Sequence, residues 1–272
     1  MWIVGTIVLF AIGVAAIVAI GWSPRATPSP PLWDIPSLSQ IYTGIVGTLG
    51  GFAVASAIFI AGLDAARTSP AFATVIGMLL IAFLILVFSA LEYASIPNLP
   101  AAGDDAVFQS FTHALANMCG CLGLSISWLA LIPLLDLLGL PVLARAFTWV
   151  LLLLALGASG WVAMFAYRLT TASARACLAI PLAGFGLAAL YRLVAVSLWP
   201  ALWPASDAAL HYAFVALAVV GLLFACHVNL LLLYGNETVR QRLWCDGHAI
   251  VLGFSAAYAL AQGFAWFAVA MP

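Results

Sequence analysis

Eight stretches of this chain are apolar almost without interruption, at about residues 2–22, 40–62, 71–95, 106–132, 143–166, 176–199, 208–234 and 248–270. About 20 apolar residues in a helix cross the hydrocarbon core of a bilayer. At that depth every backbone N–H and C=O must be bonded within the protein, which leaves only helices and closed barrels. A barrel strand alternates apolar with polar residues over about ten positions, and these runs are too long and too uniform for that. The sequence therefore predicts an all-α, polytopic membrane bundle of eight transmembrane helices, with nine as the alternative.

Composition closes off the other classes. With 66% hydrophobic and 6% charged residues and a mean hydropathy of +1.20, the chain lacks the surface of a water-soluble domain, which is about a quarter charged. Residues 1–272 read as one membrane-embedded domain, with N-terminal helices in 1–100, a polar core in 101–235 and a C-terminal loop and helix in 236–272. No connection has room for a soluble catalytic domain. The net charge of −1 offers no basic surface for phosphates, so nucleic acid is not an expected partner. The lipid bilayer is, together with a second copy or other membrane subunits. No positive charge precedes the long run 2–22, which makes it a first transmembrane helix rather than a signal peptide. Without an organelle presequence, the expected site is a bacterial cytoplasmic membrane. The five cysteines suggest neither a disulfide framework nor a zinc site, and no cofactor is expected.

Arginine tests the number of crossings, because positive residues favour one side. Eight crossings place Arg25, Arg168, Arg175, Arg240 and Arg242 on one side and Arg67 and Arg145 on the other. If residues 131–175 cross twice, with a break near Gly157-Ala158-Ser159-Gly160, only Arg25 stands apart. That second arrangement also brings Glu92 and Arg192 into one leaflet as an intramembrane ion pair. Its cost is length, since Pro133, Asp136, Pro141 and Arg145 interrupt the two short spans.

Two helix faces stand out. Gly47, Gly51 and Ala55 recur every four residues beside Gly44, a small-residue face that predicts close helix packing. His113, Asn117, Cys121 and Ser125 also repeat every four, and at about 40° of drift per step they form one polar stripe. Such a stripe must face protein or water. It serves either as interhelical hydrogen bonding or as a functional path. His211 and Asn229 share a second face. The four histidines, His113, His211, His227 and His248, raise haem or metal ligation as an alternative, although no pair on one helix has ligand spacing. Carboxylates do not form a relay through the bilayer, and no inverted repeat is evident.

In chain order, His113-Ala-Leu-Ala-Asn117, Gly157-Ala-Ser159-Gly160 and His211 resemble the rhomboid intramembrane serine proteases, over about residues 106–234. The resemblance implies Ser159 as nucleophile at the head of a short helix, with His211 as its base. It implies His113 and Asn117 as oxyanion donors. Phe214 and Ala218 stand where the family usually carries glycines, and its Trp-Arg loop motif is absent. Cys121, Arg168 and His211 also follow the order of the exosortase triad, without the family's asparagine.

Three functional classes follow. The first is a non-enzymatic bundle for pore formation, transport, anchoring or signalling, with the polar stripe facing a cavity or a neighbouring helix. The second is an intramembrane hydrolase using Ser159 and His211, and the third a membrane anchor of a redox complex. The first requires no missing motif and is the expectation carried forward.

Overall fold

The structure is a computed structural model. It describes residues 34–63, 70–98, 104–169, 174–198, 255–263 and 266–267, with Ile12 alone before them. The runs 2–22 and 208–234 lie outside the described residues, as do Arg25, His211, His227, His248 and Asn229.

Every regular element among the described residues is helical. Five long helices follow one another: α1 (Ile35–Ala61), α2 (Pro70–Ser95), α3 (Asp104–Leu137), α4 (Pro141–Leu169) and α5 (Ala174–Leu198). A single 3₁₀ turn, Ile96–Asn98, extends α2. Each of the five contains a segment long and apolar enough to cross a membrane: Ile35–Ala61, Phe72–Asn98, Thr112–Leu137, Pro141–Val162 and Ala179–Leu198. The chain is thus a multi-pass helical membrane protein, and five of the eight apolar runs are helices at nearly the expected positions.

Several boundaries differ for local reasons. Helix α1 begins at Ile35, five residues ahead of the apolar run 40–62, and Pro36 falls in its first turn. A first-turn proline lacks only an N–H that has no helical acceptor. Pro133 and Pro181 likewise lie within α3 and α5. The break comes at Gly139, whose φ of 76° is left-handed and suits glycine. There Leu140 N–H donates to Leu135 O and Gly139 N–H to Asp136 O, closing α3 in a Schellman motif. Pro141 then opens α4 as its first residue.

The break expected near Gly157–Gly160 is absent, since α4 is continuous through it. Glycine lowers helix propensity by about 1 kcal/mol. Opening the backbone inside a bilayer leaves polar groups unbonded at several kcal/mol each, so the helix holds.

The helices alternate in direction. Leu86 packs at Gly123, Ser89 at Gly120 and Tyr93 at Asn117, so α2 and α3 are antiparallel. Gly50 of α1 packs on Leu86, while Tyr42 stacks on Tyr93, which makes α1 antiparallel to α2. Trp266 donates its indole N–H to Thr148 O near the start of α4, and neighbouring Phe267 accepts from Arg192 near the end of α5. Helices α4 and α5 therefore run oppositely too. The helical segment 255–263 inserts its Tyr258, Ala259 and Leu260 into the same apolar core as Met78, Leu122, Leu151 and Ile180.

Between apolar side chains and lipid tails there is no hydrophobic drive, so close packing holds such a bundle. A methyl at Gly123 would lie 2.8 Å from Leu86 Cγ, and one at Gly184 2.7 Å from Ala259 Cβ. These glycines are the contact points. The face expected to pack, Gly47, Gly51 and Ala55, is exposed with Gly44, and among the described residues nothing stands within 4 Å of a Cβ placed on any of its three glycines. Helix α1 meets its neighbours through Val46, Gly50, Ala53 and Ala57, about a third of a turn away.

Candidate functional site

The polar stripe on α3 lies inside the bundle. His113, Asn117 and Ser125 are buried and Cys121 is half-buried. Four-residue spacing gives the stripe its direction, and the crossing of α1 and α2 over its N-terminal half gives it partners.

At that end four aromatic and polar side chains interlock. Ser39 Oγ and His113 Nδ1 are hydrogen-bonded at 2.9 Å. The Tyr42 and Tyr93 rings stack with centroids 5.4 Å apart, and the His113 ring meets them edge-on at 5.8 and 5.2 Å. Edge-to-face contacts of this kind add about 0.5–1.5 kcal/mol beyond burial. Tyr93 donates its hydroxyl to Asn117 Oδ1 at 3.2 Å, and Cys121 Sγ approaches the same oxygen at 3.9 Å. One turn further, Ser125 donates back to Cys121 O at 2.7 Å. The Tyr258 hydroxyl from the 255–263 segment lies beside Ser125 and Gln262 without hydrogen-bond geometry to either. From His113 to Ser125 the stripe extends about 18 Å at about 1.5 Å per residue, more than half of a hydrocarbon core about 30 Å thick.

Several buried polar atoms in this interior have no hydrogen-bond partner among the described residues: both carboxyl oxygens of Glu92, Asn117 Nδ2, Ser159 Oγ, Tyr258 Oη and Gln262 Nε2. Each belongs to a residue at least nine-tenths buried. Leaving such a group unbonded costs about 1–3 kcal/mol, and more for a carboxylate. They come from α2, α3, α4 and the 255–263 segment, so no single local distortion accounts for them.

Glu92 and Arg192 are not brought together. Glu92 is near the end of α2 and Arg192 near the end of α5, at opposite ends of the alternating bundle. Arg192 reaches Phe267 O at 3.4 Å. Instead, Glu92 comes close enough to Cys119 of α3 for the two to interact electrostatically.

Ser159 occupies the interior of α4, 2% exposed, and not the helix head that the rhomboid resemblance implies. Its proposed base, His211, lies outside the described residues, so the pair has no described geometry. Among the described residues no three His, Cys, Asp or Glu side chains gather to hold a metal ion.

Ser39, Tyr42, Tyr93, Tyr258 and Gln262 belong to the polar interior but carried no periodic signal in the sequence. Ser39 stands just ahead of the apolar run 40–62, and an isolated tyrosine in an apolar run has no register of its own. Only the α3 stripe, with four polar residues in phase, was legible. No protein-family profile, curated protein or solved structure matches this chain.

Proposed function

We propose that the chain is a non-enzymatic membrane bundle that passes a small polar species along the α3 stripe. One observation carries this reading: buried polar atoms from four elements have no partner among the described residues, and Asn117 and Tyr258 stand on and beside the stripe. Ionisable and polar groups kept at membrane depth mark solute and ion paths, and each one left unpaired calls for a physical reason. A bundle held together by polar contacts alone would have paired them. The stripe also changes partners along its length, from Ser39 and Tyr93 at one end to Tyr258 at the other, as a path through the protein requires.

Flux into vesicles of defined phospholipid tests the reading. Purified full-length protein is reconstituted and offered protons, potassium and a small neutral solute such as glycerol in separate assays. The expected result is flux of at least one species above protein-free vesicles, reduced at least tenfold by Asn117→Leu. Permeability equal to that of empty vesicles for all three overturns it and leaves an anchoring role.

A further inference from the structure

We propose that Glu92 is a proton-binding site and that the proton is a species this bundle moves; the inference rests on the transport reading above. Glu92 is the one acidic residue of nine that is fully buried among the described residues, within the apolar segment Phe72–Asn98. Its two carboxyl oxygens have no hydrogen-bond partner, so the side chain holds no element in place through its polar end. Glutamine or methionine would fill the same volume.

The neighbourhood selects the ligand. A metal cation needs several oxygen, nitrogen or sulfur donors at once, and among the described residues no such group forms. A proton needs one carboxyl. Helix α2 packs on α1, α3 and its own 3₁₀ turn among the described elements. The titratable groups these present around the polar cluster are Tyr42 from α1, Tyr93 from α2, and His113, Cys119 and Cys121 from α3. None is a permanent cation. The chain has no lysine, Arg145 and Arg192 belong to the opposite end of the bundle, and Arg168 and Arg175 are on α4 and α5, which make no contact with α2. Among the described residues the carboxyl has no bonded counter-charge, and its charge is balanced by the ligand that comes and goes.

The step balances simply. A carboxylate oxygen takes a proton from hydronium and leaves water, and the resulting carboxylic acid returns that proton to another water. From Glu92 to Asn98, the end of the segment, is six residues, about 9 Å along the axis, so the site is within two turns of one membrane face. On the inner side, the Tyr93 hydroxyl is already bonded to Asn117, which starts the polar path inward.

Infrared difference spectroscopy and proton flux on the same vesicles test this. Full-length protein in phosphatidylcholine vesicles should show a neutral-carboxyl C=O band that changes with pH, missing in Glu92→Gln. Proton uptake driven by a potassium diffusion potential should fall at least tenfold in Glu92→Gln and be partly kept in Glu92→Asp. Should the glutamine variant misfold, dicyclohexylcarbodiimide on the wild type replaces it, with an adduct on Glu92 expected by peptide mapping. A C=O band unchanged in Glu92→Gln, undiminished proton uptake, or no adduct at Glu92 overturns the proposal. Glycerol or potassium flux without proton flux overturns it while the transport reading stands, and no flux of any species overturns both.

Discussion

At the scale of single residues the bundle is decided by a few polar atoms. Tyr93 Oη joins α2 to Asn117 of α3, and its ring also supports Tyr42 and His113. Tyr93→Phe removes the bond and keeps the rings. Hydrogen bonds between membrane helices average about 0.6 kcal/mol, so the expected loss in a denaturant titration in detergent micelles is below about 1 kcal/mol. His113→Ala removes two ring contacts and leaves Ser39 without its partner, and about 1–3 kcal/mol is expected in the same titration. A larger effect from Tyr93→Phe than from His113→Ala contradicts the arrangement. The sequence disclosed His113 and Asn117 because they stand in phase on one helix. Ser39 and Tyr42 were not legible, since their importance comes from a helix crossing and crossings leave no trace in spacing.

Among the described helices, packing is carried by glycines other than Gly47 and Gly51. Those two fit the four-residue pattern, yet among the described residues a methyl there meets nothing within 4 Å. Gly184 and Ala188 fit it too, and a methyl on Gly184 meets Ala259 backbone at 2.8 Å. Small residues at four-residue spacing show that a helix has a smooth face, and the position of its neighbours decides whether the face is used. Gly47→Ala and Gly51→Ala should therefore leave thermal stability unchanged within about 0.5 kcal/mol. Gly184→Ala should cost about 1–3 kcal/mol through overpacking, because the clash is with backbone and cannot be relieved by rotating a side chain. Gly123→Ala should cost less, since its closest contact is the Leu86 side chain. Equal sensitivity at all four positions would show that the bundle is assembled through the other face of α1. Boundaries followed the same logic: Pro133, read as an interruption, lies inside α3, while the real turn was set by Gly139 with Pro141 after it.

For the whole molecule the alternation of helices fixes which connections share a membrane face. Asn98 and the connection between α4 and α5 are on one side, with the turn at Gly139 on the other. Asn98→Cys, Leu140→Cys and Thr171→Cys, on a background without the five native cysteines, should be labelled accordingly by a membrane-impermeant maleimide. Positions 98 and 171 should react from the same side and position 140, beside Gly139 and exposed, only from the opposite one. Labelling of Asn98 and Thr171 from opposite sides would restore a second crossing in 131–175. Arginine counting had favoured that crossing, because charge bias is a sum over few residues and one arginine shifts it, whereas the continuity of α4 is a matter of every backbone bond. The class of the molecule was readable from run length alone, and the interior path only where one helix carried it. The five helices run 27, 26, 34, 29 and 25 residues. At about 1.5 Å per residue each is longer than a hydrocarbon core about 30 Å thick. A bundle of such rods sits in a bilayer only if the helices lean or carry their ends out among the headgroups.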